Sequence, residues 1–214
     1  MPPFDTILAV VLAGFALSAT PGPSMLYVLS RTVGQDRAAG FASAFGLALG
    51  GMALAVATAA GLAALFEKVT WIVPALRYLG SAYLIWLGVG MIRDARAEAQ
   101  ADLEVSAVTQ KPFRAIVWQG VLVELMNPKT VLFFALFLPP FVTMGEADGS
   151  VALQFLILGA LVPLTAIPSD MLVVLMGSKM AGAINQRRQL REGMAWAGGL
   201  MLIAIALNLH FGFI

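Results

Sequence analysis

Three ionisable side chains, Glu124, Lys129 and Asp170, fall within stretches that are otherwise apolar. A charge near the centre of a bilayer costs roughly 2.5 to 3.5 kcal/mol on insertion scales, so each of these groups must find a partner or water. Glu124 lies about ten residues into its stretch, roughly 15 Å deep at the helical rise per residue. Lys129 is deeper, beyond Pro128, and Asp170 follows Pro163 and Pro168. A carboxyl group held away from water keeps its proton more readily than one in solution. Glu124 and Asp170 are therefore candidates to take and release a coupled proton, with Lys129 placed to hold one of them charged. The structural alternative is an ion pair of Lys129 with Asp170 or Glu124 that only fixes helix packing.

Two proline-containing runs sit close to these groups, Thr20-Pro21-Gly22-Pro23-Ser24 and Asn127-Pro128-Lys129. Proline removes a backbone donor, and an unsatisfied peptide group in hydrocarbon costs several kcal/mol. Breaks at Pro21, Pro23 and Pro128 must then be buried in protein or face a water-filled cavity. The alternative for Pro21 and Pro23 is a kink that only makes room for packing.

The elements that carry these residues follow from composition. The chain has 214 residues, 60% of them hydrophobic and 12% charged, with a mean hydropathy of +0.88. Ordinary soluble domains are about one quarter charged, so this is a polytopic membrane protein. With no cysteine there is no disulfide, thiolate metal site or cysteine nucleophile. Asp5 precedes the first basic residue, Arg31, so the N-terminal apolar stretch lacks the positive start of a signal peptide and reads as a retained span.

Six stretches reach the roughly 20 apolar residues of a membrane-spanning helix: Phe4 to Ser30, Gly40 to Phe66, Val69 to Ile92, Ala115 to Leu138, Val151 to Gly177 and Met194 to Phe213. The first, fourth and fifth contain prolines and are expected to be bent or discontinuous. Glu67-Lys68 implies a tight hairpin. Arg93 to Arg114 reads as a mobile polar loop. Arg31, Arg37, Arg93, Arg96, Lys111, Arg114, Lys179, Arg187, Arg188 and Arg191 fall in alternate connections, against Lys68 and Arg77 on the other side. The positive-inside rule then puts both termini outside and the basic loops in the cytoplasm. Each half opens with a proline-interrupted span and holds three spans, so the halves enter the membrane from opposite sides. The expected architecture is one all-α membrane domain over 1–214, a 3+3 inverted repeat of 4–92 and 115–213 joined by loop 93–114. Secondary transporters build midplane sites from broken helices in such repeats.

The run Ala19-Thr20-Pro21-Gly22-Pro23-Ser24-Met25-Leu26-Tyr27-Val28, the run Gly120 to Phe134 around Glu124-Leu125-Met126-Asn127-Pro128-Lys129, and Leu76-Arg77-Tyr78-Leu79-Gly80-Ser81-Ala82-Tyr83-Leu84 strongly resemble the LysE/RhtB family of amino-acid exporters. The resemblance covers essentially the whole chain and lies nearest the RhtB branch. It implies a bacterial inner-membrane exporter of amino acids or close relatives, driven by the proton motive force. Neutral substrates such as homoserine, threonine or leucine are favoured, with basic amino acids such as lysine as the alternative because Glu124 and Asp170 offer two acidic partners. Partners expected from it are the amino acid, protons and the bilayer, with a homodimer left open and no nucleic acid. Ser24 stands where relatives often carry Asn, Glu124 where an uncharged polar residue is common, and Asn208 and His210 where a basic residue often appears.

A zwitterionic substrate suits a broken helix at both ends. Amides freed at a helix N-terminus favour a carboxylate, whereas unwound carbonyls and acidic side chains favour an ammonium. Thr20, Gly22 and Ser24 are the candidates for the carboxylate, and Asn127 with Glu124 or Asp170 for the ammonium. Gly22, without a side chain, lets backbone approach a ligand closely. Gly46 with Gly50, Gly88 with Gly90, and Gly198 with Gly199 suit close helix contact. Tyr78, Tyr83 and Trp86 are candidates to line a cavity, while Trp71, Tyr78 and Trp196 equally suit the membrane interface. No metal or other cofactor is expected, because the eleven methionines are scattered and the lone His210 sits near the end of the last span. An enzyme finds no support in the known nucleophile, zinc or phosphate-loop motifs. A passive channel or structural subunit is the other class left open.

Overall fold

The computed structural model describes residues 2–19, 22–68, 72–100, 109–143, 150–186 and 188–211, and among these every regular element is helical. The first apolar stretch is two helices, α1 (Phe4–Ala19) and α2 (Pro23–Gly34), inclined at 53°. Gly22 precedes α2 in an extended conformation and Pro23 occupies the first helical position, where its missing donor costs nothing. Thr20 and Pro21 lie outside the described residues. Two long helices follow, α3 (Arg37–Lys68) and α4 (Ile72–Gln100), and the expected hairpin between them also lies outside the described residues.

The fourth stretch breaks as expected. Helix α5 (Phe113–Leu125) stops at Met126, Asn127 caps the short α6 (Pro128–Leu132), and the chain continues through a π-helical turn at Phe133–Phe137 and a 3-10 turn at Pro139–Phe141. The two arms of this pair, 113–125 and 128–141, are inclined at 49°. Helices α7 (Val151–Gln186) and α8 (Arg188–Phe211) complete the chain.

The fifth stretch, expected to be bent or discontinuous, is not discontinuous: α7 runs on through Pro163 and Pro168. Neighbouring helices and local adjustment can absorb the carbonyls that a proline frees in a membrane helix. The connection from Arg93 to Arg114 is not all loop either, because α4 stays helical to Gln100 and α5 starts at Phe113. Helix-favouring residues such as Ala95, Arg96, Ala97 and Glu98 explain the extension.

Two helices, over 37–64 and 151–177, are by themselves long and apolar enough to cross a membrane, and counting each bent pair as one span raises the number to four. Large apolar side chains stay exposed on many helices, including Phe45, Val56, Trp86, Trp118, Leu172 and Leu200. Such surface fits hydrocarbon rather than water. Beneath it, Phe133, Phe134, Phe137 and Phe155 pack with Leu84, Leu158 and Leu202 into one large core that joins α1, α3, α4, α7, α8 and the 133–142 segment. Smaller clusters join α2, α3 and α7 around Val28, Leu47 and Val174, and α3 and α5 around Ala42 and Ile116.

Helices pair chiefly as α3 with α7, α4 with α8 and α3 with α5. Glycine makes these approaches close. A Cβ on Gly46 would strike the Val117 carbonyl, and one on Gly50 would lie 2.8 Å from Glu124 Cβ. Gly88 and Gly199 face each other, each blocked at 2.5 Å by the other's carbonyl oxygen, whereas Gly90 faces open space. Gly46→Ala is accordingly expected to destabilise the protein by about 1 to 3 kcal/mol, the range for overpacking. Its thermal unfolding midpoint in detergent should fall, and that of Gly90→Ala should not.

Candidate functional site

The breaks expose peptide groups at one level of the structure, and side chains from other helices meet them. The last turn of a helix presents carbonyls that call for donors from outside it. Lys129 Nζ donates to the Leu17 carbonyl at 2.8 Å, and Ser169 Oγ donates to the Ser18 carbonyl at 3.2 Å. Thus α6 and α7 both complete the end of α1. The Lys129 carbonyl accepts from Tyr83 Oη at 3.1 Å, which brings α4 to the same point.

A polar chain crosses between the two broken pairs. The Lys129 amide donates to Asn127 Oδ1 at 3.1 Å, which is the N-cap of α6. Asn127 Nδ2 donates to Ser24 Oγ at 2.9 Å, and Ser24 Oγ donates to Glu124 Oε2 at 2.5 Å. Glu124 therefore reaches the first turn of α2 through a hydroxyl that a side-chain amide orients. At the opposite wall Asp170 is 8% exposed, and it makes no hydrogen bond or ion pair among the described residues.

These groups surround one cavity of about 70 Å³, ample for several waters. Gly22, Ser24, Glu124, Asn127, Lys129 and Asp170 all line it, with Ser18, Thr130 and Pro163. Every described residue singled out from the sequence as a substrate or proton group is therefore on its wall. Pro23 and Pro128 are both exposed and border a second groove. Ser24, grouped from sequence with the carboxylate end, is bound to Glu124. No described side chain caps α2, and Ser24 and Met25 of its first turn face the cavity, so the positive end of that helix is presented there. Tyr83 is buried against Lys129 rather than on the cavity wall, while Tyr78 and Trp86 are exposed.

The chain matches the LysE type translocator model over residues 8–212. It belongs to the LysE family of translocators. Relatives of this LysE-type chain include an uncharacterized membrane protein of Pseudomonas aeruginosa, 32% identical over 88% of the chain and 87% of that relative. A leucine efflux protein of Enterobacter sp. (strain 638) is 26% identical over 93% of the chain and 92% of its own length. A homoserine/homoserine lactone efflux protein of Salmonella typhimurium is 29% identical, with 95% and 96% covered. No solved structure matches significantly. The translocator is a multi-pass protein of the inner membrane, and its family is one of transporters rather than enzymes.

Two polar clusters in the LysE-type fold were not singled out from sequence. Gln154, 2% exposed, accepts from the Thr143 amide at 3.1 Å and donates to its carbonyl at 3.0 Å, which ties the end of the 128–143 arm to α7. Arg31, counted from sequence as a loop charge, lies inside α2 and is 6% exposed. The signal for it was Tyr27, Arg31 and Gln35 at four-residue spacing, which places three polar side chains on one face of a helix.

The Asn127–Ser24 bond predicts coupling between two chain segments 103 residues apart. Asn127→Ala should cost about 1 kcal/mol for the lost cap and more for the broken bond. The double variant with Ser24→Ala should lose less than the sum of the single losses, by at least about 0.5 kcal/mol in thermal or denaturant unfolding.

Proposed function

We propose that this protein is a secondary active exporter that carries neutral amino acids or their derivatives out of the cytoplasm, driven by the proton motive force. The observation that carries this reading is the shared cavity: two carboxyl groups, Glu124 and Asp170, face one space bordered by two broken helices. An ammonium group suits the Glu124 and Asp170 side, and a carboxylate suits the uncapped start of α2 at Gly22 and Ser24. The occupied site then has a charge partner for each end of a zwitterion. Asp170, with no hydrogen bond or ion pair among the described residues, is the group assigned to the coupled proton. The neutral substrate class draws support from the leucine and homoserine/homoserine lactone efflux relatives.

The six-span inverted repeat with both termini outside is part of the same proposal. In support, α1–α2, α3 and α4 in the first half answer to α5–α6, α7 and α8 in the second, and equivalent helices pair, α3 with α7 and α4 with α8. In this orientation α1 and the 133–141 segment form the outer half of the site. Helix α1 packs against α7 and α8 and the 133–141 segment against α4, whereas α2 packs mainly against α3 and α7 and α5 against α3.

The test is efflux from loaded cells screened over a panel of amino acids and their lactones. Wild type should export a neutral substrate uphill and lose this with an uncoupler. Asp170→Asn should abolish coupled efflux, at least a hundredfold, while remaining folded in the membrane, and Glu124→Gln should weaken substrate selection. Normal coupling in Asp170→Asn removes its carrier role. Uncoupler-insensitive flux without saturation indicates a channel, and dominant dibasic export dependent on Glu124 overturns the neutral assignment.

A further inference from the structure

On the opposite side of α5 from its α3 contact lies a second space, a groove of about 520 Å³ between α2 and α5. Val117, Gly120, Val121 and Glu124 face α3, while Gln119, Leu122, Val123 and Met126 line the groove. The two sets differ by two positions, or about 200° on a helix. The upper end of the groove reaches Asn127 and Pro128, so it shares Asn127 with the central cavity. Its lower end is Tyr27, Arg31 and Gln119.

Arg31 there is a buried cation with no counter-ion among the described residues. Its Nη1 donates to the Thr109 carbonyl at 2.9 Å and its Nη2 to Gln119 Oε1 at 2.8 Å, with Gln35 Oε1 more distant at 3.5 Å. Its guanidinium carbon is 5.9 Å from the centre of the Tyr27 ring. All of these are neutral partners, and Arg31 forms no ion pair among the described residues. A guanidinium has five N–H donors in a fixed fork, and its Nε–H meets no acceptor among the described residues. Burying a charge is expensive without an opposite charge, and the fork geometry matches a carboxylate.

We propose that Arg31, steadied by Gln119, is an entry subsite that takes the carboxylate of the amino acid before it passes along the groove to Asn127 and the central cavity. This rests on the export reading above and adds a second recognition point to it. The uncapped start of α2 would receive the same carboxylate at the far end, so Arg31 and Gly22–Ser24 stand at successive stations on one helix. Carboxylate recognition at Arg31 sets apparent affinity and leaves the central exchange step untouched.

The experiment measures leucine transport in proteoliposomes of phosphatidylcholine alone and with phosphatidylglycerol added. It also measures competition by isoamylamine, which is leucine without its carboxylate. Arg31→Gln should raise the KM for leucine about tenfold at unchanged maximal rate, as expected for loss of a charge-assisted contact. Arg31→Lys should restore most of the affinity, and inhibition by the amine should be equal in wild type and Arg31→Gln. Because Arg31→Gln also breaks the bond to Thr109, Gln119→Ala serves as a second variant that leaves that bond in place, with a smaller rise in KM. An unchanged KM, or an equal loss for leucine and the amine, overturns the subsite. An effect confined to vesicles with phosphatidylglycerol overturns it as well, by making the occupant a lipid phosphate. If wild-type vesicles move no amino acid, the export reading fails, and calorimetric titration of leucine and isoamylamine onto purified wild type and Arg31→Gln still decides whether Arg31 binds a carboxylate.

Discussion

A helix that stops inside hydrocarbon leaves carbonyls and amides that lipid cannot satisfy, and the polar chemistry of this translocator is organised around that constraint. The end of α1 needs donors, and Lys129 and Ser169 supply them from two other helices. The start of α6 needs an acceptor, and Asn127 supplies it. The start of α2 has no cap from a described side chain, and it faces the cavity together with the end of α1 and the start of α6. Satisfying two ends and leaving the third open lets one set of residues hold the helices together and shape the cavity.

Packing then determines how near the groups come. Gly50 allows α3 to lie against Glu124, and Gly51 meets Pro163 where a Cβ would stand 2.7 Å away. These contacts push the walls of α3, α5 and α7 together around the carboxyl groups. Phe133, Phe137 and Phe141 pack in the core behind the site, with the ring centres of Phe133 and Phe137 4.2 Å apart and those of Phe137 and Phe141 4.7 Å. Such a stack along the π-helical turn makes a close-packed apolar layer.

The site was more legible in the sequence than the boundaries of its helices. An acid or a proline in an apolar run is costly, so Glu124, Asp170 and Pro128 announce themselves one residue at a time. Helix ends are decided by weaker balances. Asn127 as a cap could be read from its place before Pro128, but the extension of α4 to Gln100 depends on small propensities. The continuity of α7 at Pro163 and Pro168 is a tertiary matter, because it depends on which neighbours or local adjustments serve the freed carbonyls. Arg31 was hidden for a different reason: a basic residue at the end of an apolar stretch has the same appearance whether it lies in a loop or turns inward. Its burial depends on Gln119 and Thr109, 88 and 78 positions away.

Lys129 gathers these threads in a single residue. Its ammonium holds α1, its amide rests on the Asn127 cap, and its carbonyl takes the Tyr83 hydroxyl of α4. These attachments differ in reach. The ammonium rides on four rotatable carbons, whereas the amide and carbonyl are fixed to the backbone of α6. If the helices shift past one another, α4 and α6 must travel as a unit or part company, while α1 can slide by an ångström or two and remain tethered. The residue is a hinge pin with one slack bearing, and the slack lies on the side of the first broken helix.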